Sequence, residues 1–261
     1  MTYRHRVFIL LGAFAVVLVG LLFLVDPIPQ NPGYHDFADK RSLLSIVNFG
    51  DVVSNAGFAV IGLLGLIAVL GPRRREHFAE GPDAAPYLVF FCGVGLVGIG
   101  SAYYHLAPDS GRLFWDRMPM TVAFMGLFAA IVADRIDRSA GNRVLLPVFV
   151  ALGLASVVYW DWTEAQGVGD LRFYYLIQGF PMAALPLILW LFPDARYTRT
   201  GFLIRVFLWY AAALALDYFD DRVFAALGGT VSGHTLKHLA AAVATYYVLR
   251  MVTAAKPNGR A

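Results

Sequence analysis

The chain is poor in charged residues and in cysteine, and it lacks a P-loop and a G-x-S-x-G nucleophile motif. Charged residues make up 15% of its 261 residues and hydrophobic ones 59%, which is far too apolar for a soluble domain of this length. The single cysteine, Cys92, excludes an internal disulfide and a cluster of thiolate ligands. No P-loop or G-x-S-x-G motif and no internal repeat is present. The net charge of +3 comes from dispersed basic residues, so it indicates membrane orientation rather than nucleic-acid binding.

Eight apolar segments are long enough to cross a bilayer, which requires about 17–25 residues. The first, residues 7–25, contains no polar side chain. Its length, and the lack of a small-x-small motif after it, predict a retained helix rather than a cleaved signal peptide. We therefore predict an all-α, polytopic membrane helix bundle. Its spans are expected at 7–25, 52–71, 86–105, 117–133, 143–160, 173–192, 202–219 and 234–253.

The basic residues are unevenly divided between the two sides that eight spans define. Fourteen of the 21 fall on the side of both termini, and 12 of the 18 acidic residues fall on the other side. Because positive charge accumulates in cytoplasmic loops, both termini are predicted to be cytoplasmic. The other side is then periplasmic, since arginine-rich composition and short loops favour a bacterial inner membrane, or lumenal in a eukaryote. The basic side carries Arg4, Arg6, Arg73, Arg74, Arg75, Arg135, Arg138, Arg143, Arg196, Arg199, Arg205, Arg250, Lys256 and Arg260.

Three of the six histidines lie near the ends of predicted spans on the acidic side. The third span ends there at His105, and the eighth begins there with SGHTLKH, which contains His234 and His238. The fourth span begins on the same side next to Asp116. Ionisable residues within membrane helices are costly and by default indicate function. The topology therefore predicts that three segments distant in sequence place polar groups at one membrane depth.

The spacing of these residues favours a metal site. Residues four apart share a helix face and are separated by about 6 Å of rise, so His234 and His238 can bind one ion, and Ser101 lies beside His105. Three neutral imidazoles with an open fourth position are typical of catalytic zinc. Imidazole also suits iron, copper and nickel, so the pattern predicts a metal and favours zinc.

Other polar and aromatic residues allow structural interpretations. Asp116 has an alternative interpretation as a helix N-cap, and Ser232 is a candidate cap for the last helix. Tryptophan and tyrosine at span ends predict an interfacial aromatic belt of Trp160, Trp162, Tyr174 and Tyr175. The polar residues expected to bridge helices or to accept imidazole N–H groups are Asn48, Asp51, Asn55 and Asp217.

Three motifs together resemble the alkaline ceramidase family. They are S-x-x-x-H, an aspartate eleven residues after its histidine, and H-x-x-x-H in the last helix. The superfamily of these ceramidases also includes the progestin and adiponectin receptors. The matching segments are SAYYH, WDRM and HTLKH, and NFGDVVSNAGF is similar to the start of the family's first core helix. The resemblance covers about residues 34–253 and implies a seven-helix core. Residues 1–33 are then an extra N-terminal transmembrane helix and loop, and residues 254–261 are a cytoplasmic tail.

The resemblance implies that His105, His234 and His238 bind zinc. It also implies that Asp116 holds and deprotonates the attacking water, and that Ser101 lines the metal site and helps to stabilise the oxyanion. The implied reaction is hydrolysis of the ceramide amide to a sphingoid base and a fatty acid. An amide needs an activated nucleophile and a polarised carbonyl, and one zinc ion can supply both. The lipid is expected to reach the site laterally, with its tails among the helices.

The sequence departs from the family in two places. Lys237 lies inside H-x-x-x-H, where animal members carry an aromatic residue. It has two interpretations: a binding residue for a fatty carboxylate or phosphate headgroup, and an interfacial lysine whose ammonium extends to water. Eukaryotic ceramidases also bind calcium just before the first core helix, but here Lys40 and Arg41 intrude. Calcium binding is thus left open for Asp36, Asp39, Asn48 and Asp51.

We therefore predict a zinc-dependent hydrolase that acts on the linear amide of a membrane lipid. The alternative is a lipid-binding receptor or regulatory membrane protein that has the same metal core and little or no catalysis. An ion transporter is disfavoured because the ionisable residues cluster at one side instead of following the membrane depth. Many bacteria lack ceramide, so another N-acyl lipid is an open alternative as the substrate. Neither a protein partner nor an oligomeric state is predicted.

Overall fold

The computed structural model describes residues 1–255, which form eleven α-helices and no β-strand. Residues 256–261, which include Lys256 and Arg260 of the predicted basic side and most of the predicted tail, lie outside the described residues. A short π-helix over residues 140–145 precedes α7. The helices are α1 (Tyr3–Leu24), α2 (Phe49–Ser54), α3 (Ala56–Leu70), α4 (Arg74–His77), α5 (Ala85–Leu106), α6 (Ser110–Arg135), α7 (Leu146–Ala165), α8 (Arg172–Leu191), α9 (Thr200–Tyr218), α10 (Asp220–Ala226) and α11 (Gly233–Thr253).

All eight predicted spans are helical, which confirms the all-α membrane helix bundle. Seven helical segments are long and apolar enough to cross a membrane: α1, α2 with α3, α5, α6, the π-helix with α7, α8 and α9. The eighth predicted span, α11, is similarly long at 21 residues but is less apolar. Its first two turns carry the polar residues His234, Lys237 and His238, of which the two histidines belong to the predicted metal site.

Successive long helices run in opposite directions, so both ends of the described chain lie at one end of the bundle. At this end the Arg6 guanidinium of α1 donates to the Leu191 carbonyl of α8 at 2.7 Å. The Arg205 guanidinium of α9 likewise lies 5.8 Å from the ring centroid of Tyr247 near the end of α11. We call this end the basic end, because the predicted basic side maps onto it. The opposite end, which carries His105 and the start of α11, is the site end.

Helices α5 and α6 form a tight antiparallel hairpin at the site end. Helix α6 begins at Ser110, seven residues earlier than the apolar run predicted, and the Asp109 carboxylate caps it by accepting a backbone amide of the first turn at 2.7 Å. The interpretation of Asp116 as an N-cap is therefore wrong, because Asp116 lies in the second turn of the helix. At Gly100 the two helices approach so closely that a β-carbon would lie 2.2 Å from the Trp115 carbonyl oxygen.

Buried polar contacts at the basic end tie α6 to the loop before α9. The buried Arg135 guanidinium donates to the Phe192 carbonyl at 2.8 Å and to the carbonyl and hydroxyl of Thr198. Burial raises the pKa of Tyr197 to about 12, so its hydroxyl stays protonated and donates to the Asp83 carboxylate at 2.7 Å. These bonds pair the buried Arg135 and Asp83 side chains and link the elements at that end of the bundle.

Candidate metal centre

Three buried histidines converge at the site end. His105 lies in the last turn of α5, whereas His234 and His238 occupy successive turns at the start of α11. They are 1%, 3% and 4% exposed, and one ligand nitrogen from each lies within 4.8 Å of the other two. Among residues 1–255 they form the one group of three or more histidine, cysteine or acidic side chains arranged to hold a metal ion. The predicted convergence of these histidines is confirmed.

Hydrogen bonds to the outer ring nitrogens of His234 and His238 determine which of their nitrogens carry a proton. Nδ1 of His234 lies 2.8 Å from a carboxylate oxygen of Asp217, so this nitrogen carries a proton and Nε2 keeps a lone pair. The Ser54 hydroxyl donates to the Asp51 carbonyl at 3.1 Å and therefore accepts from Nδ1 of His238, 2.8 Å away. Nε2 of His238 is then also unprotonated. The predicted role of Asp217 as an imidazole acceptor is confirmed.

The positions of the inward nitrogens agree better with coordination of one metal ion than with hydrogen bonds between the rings. Nε2 of His105 and Nε2 of His234 are 3.2 Å apart, and two nitrogens bound at about 2.0–2.1 Å to one tetrahedral zinc lie about 3.3 Å apart. A hydrogen bond between these two rings would satisfy one inward lone pair and leave that of His238 without a donor. Outer N–H groups fixed by a carboxylate or hydroxyl are also typical of metal-binding histidines. The donor set fits three-imidazole coordination with an open fourth position, as in catalytic zinc sites.

The polar face of α2 joins α5 to α11, as the spacing of Asn48, Asp51 and Asn55 predicted. The Asn48 amide donates to the His105 carbonyl at 2.8 Å. The buried Asp51 carboxylate accepts from the Thr235 hydroxyl of α11 at 2.6 Å. The Asn55 amide donates to the Asp51 carbonyl at 2.7 Å, where α2 gives way to α3. These bonds hold the two helices that carry the histidines at a fixed separation.

Asp116 and Ser101 face each other across the α5–α6 hairpin. Both side chains are buried, and the Ser101 hydroxyl interacts with the Asp116 carboxylate. Ser101 precedes His105 by one helical turn, so these two residues lie on the same face of α5. Asp116 is not among the ligand atoms that lie within 4.8 Å of one another. The structure therefore links Asp116 to Ser101 and Lys237, which are neighbours of the histidines in sequence, and does not group it with the candidate metal ligands.

Lys237 faces the centre and is paired there. Its ammonium lies 3.3 Å from the same Asp217 oxygen that faces His234, and it is close enough to Asp116 for an electrostatic interaction. The side chain is only 20% exposed, so it does not extend freely to water.

The charged groups around the centre carry an excess of negative charge. Four carboxylates surround the neutral rings, against two cations, so their formal charges sum to −2 when all are ionised. A bound divalent cation would offset this excess. The groups are Asp51, Asp116, Asp217 and Asp220, and Arg117 and Lys237.

The loop between α1 and α2 covers the histidines. The ring centroid of Phe37 lies 4.7 Å from that of His105 and 4.3 Å from that of His234. Nδ1 of His35 lies 2.9 Å from the Tyr104 hydroxyl. Burial lowers the pKa of His35, so its ring is neutral at pH 7 and bonds through one donor and one acceptor nitrogen. His35 therefore anchors the loop and is not part of the metal-ligand group.

The residues considered for calcium do not come together. Asp36 pairs with Lys40 on the surface, and Asp39 pairs with Arg41. Hydrogen bonding from the Arg41 guanidinium lowers the pKa of Asp39, so this carboxylate is already neutralised by a protein cation. The other two residues of the set lie on α2 and bind α5 and α11 as described above. The four side chains therefore do not form one oxygen-ligand site.

The sequence did not point to Asp220, which fixes the start of α11. Its carboxylate accepts from the His234 amide at 2.7 Å and from the Ala38 amide of the covering loop at 3.0 Å. Ser232, in contrast, caps α11 as one interpretation predicted, by accepting from the Thr235 amide at 2.9 Å. An acidic residue at the start of a short helix such as α10 carries no sequence signal for such a role, because its partners are set by the tertiary fold.

Arg117 is a buried cation next to Asp116, and aromatic rings enclose it. Its guanidinium lies 4.2 Å from the ring centroid of Trp160 and 4.8 Å from that of Tyr174, and it donates to the side-chain amide oxygen Oε1 of Gln30 at 2.7 Å. Trp160 is 0% exposed and Tyr174 is 4% exposed, so the prediction that these two belong to an interfacial belt is wrong. They stabilise a buried charge through cation–π contacts instead.

No protein-family model and no curated protein matches this chain. The resemblance to the alkaline ceramidases therefore depends on the site residues and on their arrangement.

Proposed function

We propose that this protein is a zinc-dependent intramembrane amidase that hydrolyses the N-acyl amide bond of ceramide or a ceramide-like lipid to a sphingoid base and a fatty acid. One arrangement carries the proposal: buried imidazoles with lone pairs directed inward, beside a buried carboxylate and hydroxyl in a membrane helix bundle. The same residues carry the resemblance to the alkaline ceramidases. The residues to which we assign roles are His105, His234, His238, Asp116 and Ser101.

The three histidines would hold the zinc ion, which when bound polarises the amide carbonyl and acidifies a water molecule at the site. Asp116 accepts a proton from the attacking water and passes it to the leaving nitrogen. A C–O bond forms, the C–N bond breaks, and the carboxylate returns to its initial state. Ser101, which lies next to Asp116 and His105, supplies a hydroxyl donor to the developing oxyanion.

An apolar cavity next to the histidines suits the hydrocarbon part of a lipid. Phe58 lines it, and the ring centroid of Phe58 is 6.3 Å from that of His238. Ala241, one turn further along α11, lines it as well. This cavity, which we call the core cavity, has a volume of about 130 Å³ and lies between α3, α5, α6, α8, α9 and α11. An apolar pocket beside a few convergent polar groups favours a lipid substrate over a transported ion.

We further infer that the basic end faces the cytoplasm and that the metal centre lies toward the periplasm of a bacterial inner membrane, or toward a lumen. Loops rich in arginine remain cytoplasmic. A reporter fused to the C-terminus is expected to report cytoplasm, and one inserted in the exposed turn at Gly228 is expected to report the opposite side. A C-terminal reporter on the non-cytoplasmic side would contradict this orientation.

Hydrolysis of defined lipids tests the proposed function directly. Zinc-loaded wild-type protein in detergent is expected to release equimolar fatty acid and amine from at least one member of a panel of ceramides and other N-acyl lipids, measured by liquid chromatography with mass spectrometry. A strong chelator should abolish release, and added zinc should restore it. Saturable binding of a panel lipid without release of either product would refute the amidase and favour the receptor.

A further inference from the structure

A second apolar cavity lies between α1 and the rest of the bundle. It has a volume of about 520 Å³ and is bounded by α1, α6, α7 and α8. We call it the α1 groove. The α1 side chains that line it recur at i, i+3, i+4, i+7 and i+11, so they form one face of that helix. They are Val7, Leu10, Leu11, Phe14 and Leu18.

The surroundings of the α1 groove favour a hydrocarbon chain as its occupant. All four helices that bound it are long and apolar enough to cross a membrane, so the medium around it is lipid. Its volume is more than three times that of the ~150 Å³ apolar cavity that holds benzene, and it falls within the roughly 300–1,000 Å³ typical of ligand sites. The α1 face extends about 16 Å along the helix axis, so the space is long as well as large. A wall without polar partners does not retain water.

The groove exists because α1 makes few close contacts with the bundle. None of its residues is buried, and a β-carbon added at Gly12 or Gly20 would meet nothing within 4 Å. Membrane helices that pack directly against a partner usually place small residues at a close interface. Helix α1 is instead held at its N-terminal end by Arg6 and midway by Phe14, whose ring centroid lies 4.9 Å from that of Phe180 on α8. Space for another molecule remains along the rest of its inner face.

The α1 groove and the core cavity share part of their walls. Phe128 of α6 and Pro181 of α8 line both spaces. Pro181 lies inside α8 and lacks a backbone N–H, so the helix is weakened at the level of the shared wall. The core cavity, at about 130 Å³, is smaller than the ~150 Å³ space that accommodates benzene, so it cannot contain a long chain by itself. A chain that starts at the histidines must therefore continue into an adjoining space.

We propose that the α1 groove binds the acyl chain of the lipid substrate, which extends from the core cavity between Phe128 and Pro181. This rests on the proposed function for the identity of the lipid. The groove then acts as the chain-length-selective part of the site: short chains end in the core cavity, and long chains gain contacts with α1 and α8.

Photolabelling in the full-length, zinc-loaded protein tests this proposal. The probe is a long-chain ceramide with a diazirine at the end of its acyl chain, and labelled residues are mapped by peptide mass spectrometry. Saturable label is expected on the groove face of α1 and on α8, and unlabelled ceramide should compete for it. In Leu11→Trp the indole fills the groove and should lower this label about tenfold, the effect of losing roughly two buried methylenes. The control Leu22→Trp changes an equally exposed leucine of α1 outside the groove, 53% against 58% exposed, and should label like wild type.

Hydrolysis measured in the same samples separates the two proposals. Groove label without turnover supports the groove and refutes the amidase, whereas turnover without groove label overturns the groove. With both present, Leu11→Trp should lower kcat/KM for long-chain lipids about tenfold and leave short-chain lipids unchanged. Three outcomes would overturn the groove as an acyl-chain site. They are label spread over the outer face of α1, an equal loss of label in Leu22→Trp, and cross-links to α1 of a second copy in place of groove label.

Discussion

The His234→Ala, His238→Ala double variant is expected to be purified without zinc, whereas the wild-type protein carries about one ion per chain. The two rings would supply two of the three nitrogen ligands, since their outer nitrogens are paired with Asp217 and Ser54 and their Nε2 atoms face the centre. The single remaining imidazole, His105, cannot hold an ion against a chelator. Elemental analysis of the protein after exchange into metal-free buffer measures the effect.

Two further variants make this result specific. His5→Ala, His77→Ala removes the same number of imidazoles from positions outside the cluster and should keep its zinc. Asp217→Asn keeps all three ligands but replaces the carboxylate that fixes His234, and loss of such a partner typically lowers metal affinity about 10–100-fold. A double variant at His234 and His238 that retains stoichiometric zinc would show that the ion binds elsewhere.

The order of the membrane helices was predicted from the hydrophobic runs. One helix start, that of α6, was clearly misplaced, and the error has a physical reason. Apolar runs predicted the fourth span from residue 117, but α6 begins at Ser110. Polar residues in its first two turns resemble a loop when only hydropathy is considered. They are nevertheless compatible with a buried helix, because Asp116 interacts with Ser101 and Arg117 donates to Gln30. A polar residue is tolerated in a helix when the fold supplies its partner, and the sequence does not contain that information.

The site was predictable where it depends on helix periodicity and on alternating span direction. The spacing of His234 and His238 places both on one face of α11, and the alternation of spans brings His105 to the same end. Ser54 was not predictable, because its contact with His238 depends on how α2 is rotated about its axis. The same holds for the aromatic enclosure of Arg117, where tryptophan and tyrosine at span ends resemble an interfacial belt by sequence alone.

Asp116→Asn is expected to lower turnover of the lipid amide by about 10²–10⁴-fold, the typical contribution of a positioned general base. Asparagine has nearly the same size and can still interact with Ser101, but it cannot accept the proton of the attacking water. Zinc content and lipid binding should therefore remain close to wild type, since Asp116 is not one of the grouped ligand atoms. Single-turnover kinetics, elemental analysis and probe binding on the same preparation measure these quantities.

The matched control for this variant is Asp109→Asn in the same helix. Asp109 is the residue that caps α6, and asparagine caps about as well as aspartate, so the control should keep wild-type turnover. Because Asp116 lies in the second turn, a loss of activity in Asp116→Asn cannot be attributed to a lost cap. Unchanged turnover in Asp116→Asn would refute its role as the base. A loss of turnover accompanied by a loss of zinc would instead assign Asp116 to the support of the metal centre, since a base acts on the proton and leaves the metal in place.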